Sequence, residues 1–150
     1  MSQDYKPLTY HFFKKNKKRR KLPPLKTIKN KLWLICKLLI RRTYGNVCYT
    51  CGKTGLEGFT WQTGHMIPKS VLPTFLKYDL RVLRPQCSYC NRTLGGNGAI
   101  FEKNMRDIEG HKYVDKIHED RKVFVKERDF LEPLLHKYER MLYGTKSPNR

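Results

Sequence analysis

The residues of this chain best suited to chemistry are four cysteines in two pairs, Cys48/Cys51 and Cys87/Cys90, with His65 between the pairs and Asn91 directly after the last cysteine. A Cys-x-x-Cys turn directs two thiolates onto one ion, and two such turns complete the tetrahedron that zinc favours. A full thiolate set leaves no open coordination position, so a zinc ion held here is structural and any catalysis must come from other groups. Thirty-five residues separate Cys51 from Cys87. That interval is longer than in small zinc ribbons and leaves room for a strand pair and a loop. Gly52 supplies the turn a zinc knuckle needs. The fifth cysteine, Cys36, falls on an apolar helix face and reads as a core residue rather than a ligand.

Hydrolysing a phosphodiester requires an activated water, a cation on the developing charge and groups that hold the phosphate. A neutral histidine is the usual general base near neutral pH, and His65 is the only histidine between the two cysteine pairs. Asn91 carries an amide oxygen that can ligate a hard cation such as magnesium. Arg81, Arg84 and Arg92 are near in sequence and are candidates to hold phosphate oxygens.

These residues need elements to position them. Ile28, Leu32, Ile35 and Leu39 recur at helical spacing, which predicts a helix over Leu25–Arg42 with Trp33, Cys36 and Ile40 widening its apolar face. Gly45-Asn46 stops it. Phe59–Thr63 is aromatic and β-branched and reads as a strand leading to His65, and Leu80–Leu83 as a second strand. Pro73–Lys77 suits a helical turn between them. A helix starts near Ser88, pauses at Gly95-Gly96 and resumes over Ala99–Ile108. Tyr113, Val114 and Ile117 anchor a short helix, and Arg128–Tyr143 a longer one, with Pro133 near its first turn, where proline is tolerated. The fold class expected is α+β: a zinc-clamped core over residues 47–109, flanked by an N-terminal helix (25–42) and C-terminal helices (111–143). Residues 1–24 form a basic arm, and 25–150 one domain.

Thirty-two Lys and Arg against thirteen Asp and Glu give a formal net charge of +19. Residues 1–42 alone contribute +13, and within Lys14–Lys21 seven of eight residues are basic. Lys14, Lys15, Lys17, Lys18, Arg19, Arg20 and Lys21 are therefore read as a phosphate-binding arm, because each neutralised phosphate releases condensed counterions. The same run also has the composition of a nuclear address. No apolar run approaches the ~20 residues a membrane span needs. Met1–Tyr10 lacks the apolar segment of a secretory signal. Paired cysteines in a reducing compartment point to metal rather than disulfides.

Taken together, Cys48-x-x-Cys51-Gly52, Gly64-His65, Gln86-Cys87-x-x-Cys90-Asn91 and Gly96-Asn97 resemble the NinG/Rap family of lambdoid-phage recombination proteins, over roughly residues 25–115. That family is grouped with the HNH, or ββα-metal, endonucleases. The resemblance implies a β-hairpin followed by a helix, with His65 ending the first strand as general base and Asn91 at the helix start as ligand of a catalytic Mg²⁺ or Mn²⁺. It implies cleavage of branched DNA, such as D-loops and Holliday junctions, in the cytoplasm of a phage-infected bacterium. Two positions depart from the pattern. Many HNH enzymes carry a metal-binding Asp or His directly before the base, where this chain has Gly64; Gln62 or Asn97 is a candidate substitute. The Asn that orients the base falls near Val82, so a backbone carbonyl or Asp79 is expected to do so. Junction resolution calls for a homodimer, because two strands are cut symmetrically. The apolar faces of the terminal helices either join two copies or, as expected here, pack within one chain. The alternative to a nuclease is a non-catalytic, zinc-clamped DNA- or RNA-binding protein on the same scaffold.

Overall fold

Helix α1 (Leu25–Tyr44) begins immediately after Pro23-Pro24, with the Pro24 carbonyl accepting from the Thr27 and Ile28 amides. It ends at Gly45, whose φ of 69° lets its N–H turn back to the Arg41 carbonyl. The computed structural model describes residues 23–144, so the basic arm Lys14–Lys21 lies outside the described residues. Ile28, Leu32, Ile35, Cys36, Leu39 and Ile40 of α1 are buried, as their spacing predicts. Cys36 is a core residue: its thiol reaches the Tyr78 carbonyl at 3.5 Å, and burial pushes its pKa far up. Truncating Leu32 would remove a fully buried side chain, a class of change that costs about 2–5 kcal/mol.

The sheet is a single antiparallel pair, β1 (Trp61–His65) and β2 (Leu83–Cys87), in the register Trp61–Cys87, Gln62–Gln86, Thr63–Pro85, Gly64–Arg84 and His65–Leu83. Both strands lie later than the sequence pattern predicts. Glu57 and Thr60 close a 3₁₀ turn over Gly58–Thr60, and Asp79 caps another over Leu80–Val82. Only then does each chain extend. Pro85 does not break β2, because its carbonyl accepts from the Tyr49 amide on the outer edge of the hairpin. Its missing N–H would point to that same edge, where the ladder with β1 needs no donor.

Between the strands runs one helical turn, α2 (Thr74–Lys77). After β2 comes a π-helical turn, Tyr89–Thr93, then α3 (Gly98–Glu109), α4 (His111–Asp120) and α5 (Glu127–Tyr143). Asn97, at φ 48°, makes the left-handed step into α3. The protein is thus α+β, with the order strand, strand, helix across its centre. Pro133 sits in the second turn of α5 rather than the first, because the helix starts at Glu127. Leu131, Leu134, Leu135 and Tyr138 of α5 are buried and pack against α1, so these two helices cover each other within one chain. Arg42 of α1 donates to the Met141 and Leu142 carbonyls, closing the last turn of α5. No helix among the described residues is long and apolar enough to cross a membrane.

Candidate metal centre and hydrolytic site

The first cysteine pair occupies the turn between α1 and β1. The Gly52 amide donates to the Cys48 carbonyl, and Gly52 at φ 74° lets the chain reverse there. The second pair straddles the end of β2, where the Cys90 amide points at the Cys87 sulfur from 3.4 Å. The two halves meet because the Tyr49 amide bonds the Pro85 carbonyl, and Asn104 of α3 holds the Tyr49 and Thr50 carbonyls. All four Sγ atoms lie within 4.8 Å of one another, and Cys51 and Cys87 approach to 3.8 Å. A tetrahedron with Zn–S bonds of ~2.3 Å has edges of about 3.8 Å. The cluster therefore has the dimensions of a zinc site. Burial works against the Cys48 thiolate but is outweighed by the Thr50 hydroxyl and backbone amides, bringing its pKa down to about 6. Burial pushes Cys90 up to about 12.

His65 ends β1 and is gripped by residues from two other segments. Its ring stacks on Trp33 of α1, with centroids 5.4 Å apart and planes 10° off parallel. Its Nε2 lies 3.0 Å from the carbonyl of Lys77, at the end of α2. A carbonyl can only accept, so Nε2 carries the proton and Nδ1 carries the lone pair. Burial lowers the His65 pKa to about 4, with Lys69 and Lys77 adding to the depression and the Lys77 carbonyl opposing it. The ring is thus neutral at neutral pH. Of the two orienting groups the sequence left open, the backbone carbonyl is the one used. Asp79 instead caps the Arg81 amide and pairs with the Arg81 guanidinium at 2.7 Å. Tyr138 of α5 steadies this segment, donating to the Tyr78 carbonyl and accepting from the Leu80 amide.

Asn91 lies in the π-helical turn and donates from Nδ2 to Gln62 Oε1 at 2.7 Å, while Gln62 Nε2 donates to the Phe59 carbonyl. This relay fixes the Asn91 amide with its Oδ1 turned away from Gln62. Gln62 Oε1 thus accepts from Asn91 and keeps one further lone pair. Asn97 lies at the entry to α3, and its side chain makes no hydrogen bond among the described residues. Asn91 meets β1 at Gln62, and His65 follows three residues later, a rise of about 10 Å. The structure brings both to one strand without direct contact.

Gly64 has a specific reason to be glycine. A Cβ there would stand 1.9 Å from Oε1 and 2.8 Å from Cγ of Gln86. The fully buried Gln86 side chain fills that space and donates to the Gly96 carbonyl and to Thr50 Oγ1, leaving Oε1 without a hydrogen-bond partner. No carboxylate accompanies Asn91 among the described contacts. A single neutral amide oxygen falls short of the one or two carboxylates that usually hold a hard cation shared with a substrate phosphate.

Two of the three arginines expected to hold phosphate do not face outward. Arg84 is 1% exposed, paired with Glu109 at 2.8 Å and stacked against Tyr44 and Tyr49. Arg81 bridges Asp79 and Asp120. Glu109 and Asp120 come from distant segments, while Asp79 lies two residues from Arg81. Arg92 is exposed, with no ion pair among the described residues. The cations beside His65 are instead Lys69 and Lys77, and Lys69 Nζ lies 5.1 Å from the Trp33 ring centre. The sequence carried a signal for them, as basic residues that closely follow His65, but nothing to say they return to it.

No curated protein and no solved structure gives a match to the chain. The family model described as bacteriophage lambda NinG protein matches residues 11–143, most of the sequence, and the chain belongs to that family.

Proposed function

We propose that this protein is a metal-dependent, structure-selective DNA endonuclease of the HNH, or ββα-metal, class, acting on branched recombination intermediates. The observation that carries this reading is the state of His65: neutral, its proton committed to the Lys77 carbonyl, and its Nδ1 lone pair unclaimed among the described residues. Stacking and burial alone equally describe a core histidine; the unclaimed Nδ1 lone pair is what leaves His65 able to take a proton. The strand–strand–helix order, with His65 ending the first strand and Asn91 opening the helical stretch after the second, supports the class assignment.

In this reading Nδ1 takes a proton from a water, which attacks the phosphorus as the 3′-oxygen departs. Lys69 and Lys77 hold non-bridging phosphate oxygens. Asn91 Oδ1 would hold Mg²⁺ or Mn²⁺ together with the phosphate, and such an ion would supply charge stabilisation for the departing oxygen. A zinc ion at Cys48, Cys51, Cys87 and Cys90 would clamp the turn before β1 to the end of β2. The arm Lys14–Lys21 adds sequence-independent affinity for DNA.

The test is cleavage of a four-way junction or D-loop by the purified protein with Mg²⁺ or Mn²⁺. His65→Ala should lose roughly 10²–10⁴-fold in rate while still binding the junction. Equal cleavage by this variant, or none by the parent, would end the assignment. One observation favours a second reading: Gln86 occupies the place of the ligand before the base, and no carboxylate joins Asn91. On that ground the runner-up is a zinc-clamped DNA- or RNA-binding protein without cleavage, expected to bind junctions identically with and without His65.

A further inference from the structure

We infer that Gln86 and Thr50 are positioning residues that make the setting of His65 depend on the metal held by the four cysteines, an inference that rests on the nuclease reading only for what His65 is set to do. Four thiolates close a tetrahedron without help from an amide or a hydroxyl. Two buried polar side chains nevertheless run from the cluster to the strand that carries His65.

The polarity of this chain is fixed at the Gln86 amide. Gln86 is 0% exposed, and its Nε2 lies 2.7 Å from the Gly96 carbonyl and 3.2 Å from Thr50 Oγ1. A carbonyl only accepts, so the end of the amide that faces Gly96 is the nitrogen. Both of its hydrogens are then committed, one to Gly96 and one to Thr50. The Thr50 hydroxyl accepts from Gln86 and keeps its own hydrogen for another acceptor, and Cys48 Sγ stands 3.1 Å away. The donors from Gln86 to Cys48 thus all point toward the sulfur. A thiolate is the acceptor that this direction suits, and a bound metal is what keeps Cys48 a thiolate.

The other side of Gln86 bears on His65. Its Cγ, Cδ and Oε1 occupy the space that a Cβ on Gly64 would take, and Oε1 makes no hydrogen bond. The amide is therefore held through Nε2, and its far side is the wall against which Gly64 rests. Gly64 is joined directly to His65 at the end of β1. Gly96, which receives the shorter of the two Gln86 bonds, donates its own amide to the Cys90 carbonyl at 3.0 Å. A Cβ on Gly96 would stand 4.0 Å from the His65 carbonyl. Gln86 thus touches the last step of β1 directly at Gly64 and, through Gly96, comes close to the His65 backbone. A change in the sulfur geometry displaces Thr50, and close packing leaves Gly64 little room to stay behind when Gln86 follows. Buried hydrogen-bonded chains of this kind respond as a unit.

The experiment uses the full chain loaded with zinc and measures no cleavage. It reads zinc affinity by competition with a chelator, and the ring-nitrogen NMR signals of His65, assigned by their loss in His65→Gln. Thr50→Val keeps the shape and removes the hydroxyl, and should weaken zinc about tenfold. Gln86→Met should cost about the same, and the double variant no more than about threefold beyond the worse single one. Thr50→Ser should stay within about threefold of the parent. In Gln86→Met the His65 ring should lose its single Nε2–H tautomer signature. Exchanging zinc for the larger cadmium ion should shift the His65 signals of the parent, and the same exchange in Gln86→Met should not.

Unchanged zinc affinity in Thr50→Val, additive losses in the double variant, or parental His65 signals in Gln86→Met would each overturn the inference. Should a variant fail to fold, the ion exchange in the parent decides alone, and His65 signals that ignore it overturn the inference. A parent that cuts no branched DNA yet shows the coupled shifts would sink the nuclease reading alone. Cleavage without the coupling would do the reverse.

Discussion

The cysteine cluster and the His65 pocket occupy opposite ends of one short hairpin, and they are assembled differently. Four identical ligands from two local turns make the cluster, and each turn preforms half of it. The pocket is one imidazole held by a ring from α1 and a carbonyl from α2, with α5 steadying the neighbouring backbone through Tyr138. The cluster could be held by one ion. The pocket depends on helices that themselves must be packed. Gln86 joins the two ends, reaching Thr50 beside Cys48 and the Gly96 carbonyl near the end of β1.

The largest effect that could sharpen this contrast is loss of zinc. Chelation, or Cys87→Ser, should remove most of the ~10 kcal/mol or more that a structural thiolate site contributes, and unfold the hairpin. If α1 and α5 retain their helicity in circular dichroism while the hairpin amides exchange freely, the two regions are separately stabilised. A single cooperative loss would show that they are not. Zinc affinity should also fall as pH is lowered, because Cys90, whose thiol is raised to about 12, must release its proton to bind.

Acid should act on the other end. His65 has a pKa of about 4 in the folded chain against an ordinary value near 6.5. Between those values the unfolded chain binds the extra proton, so stability rises with pH. The contribution is complete above pH ~6.5 and is eroded as pH falls toward ~4, by up to about 3 kcal/mol. Denaturant melts of the parent and His65→Gln across this range should converge at low pH. Parallel curves would mean the ring is not desolvated. Replacing Trp33 by Ala should raise the lower edge of the window, narrowing it, by opening the ring to water.

The smallest expected effect lies between the regions. Gly64→Ala should cost about 1–3 kcal/mol, because the new methyl meets the Gln86 side chain along its length. Gln86→Ala in the same chain should recover part of that loss, seen as a non-additive urea midpoint. Additive losses would show that the interlock is not the reason for glycine here.

This difference in construction also decides what could be read from the sequence. Cysteine spacing encodes a metal site directly, and a 3–4 residue apolar repeat encodes α1, because both are local rules. The α+β class, the helical stretches and the family are legible on those grounds. Arg84 looked like a phosphate ligand because it is near the site in sequence, but Tyr44, Tyr49 and Glu109, which enclose it, arrive from three other segments. Trp33 read only as part of an apolar face, and its pairing with His65 depends on how α1 crosses the hairpin. The packing of Gln86 against Gly64 is likewise a tertiary fact, visible beforehand only as an unexplained glycine. Asn91 was legible as a candidate, but the Gln62 relay that aims it was not.

The mutual cover of α1 and α5 has a consequence for how the chain is made. Arg42 and the last carbonyls of α5 are separated by about a hundred residues of sequence. At a synthesis rate of 5–20 residues per second, the side of α1 destined for α5 waits roughly 5–20 s before its cover exists. During that interval α1 can pack on the hairpin and on the segment between its strands, so capture of a metal ion by the four cysteines during synthesis would bear on whether the nascent helix stays shielded or meets another chain.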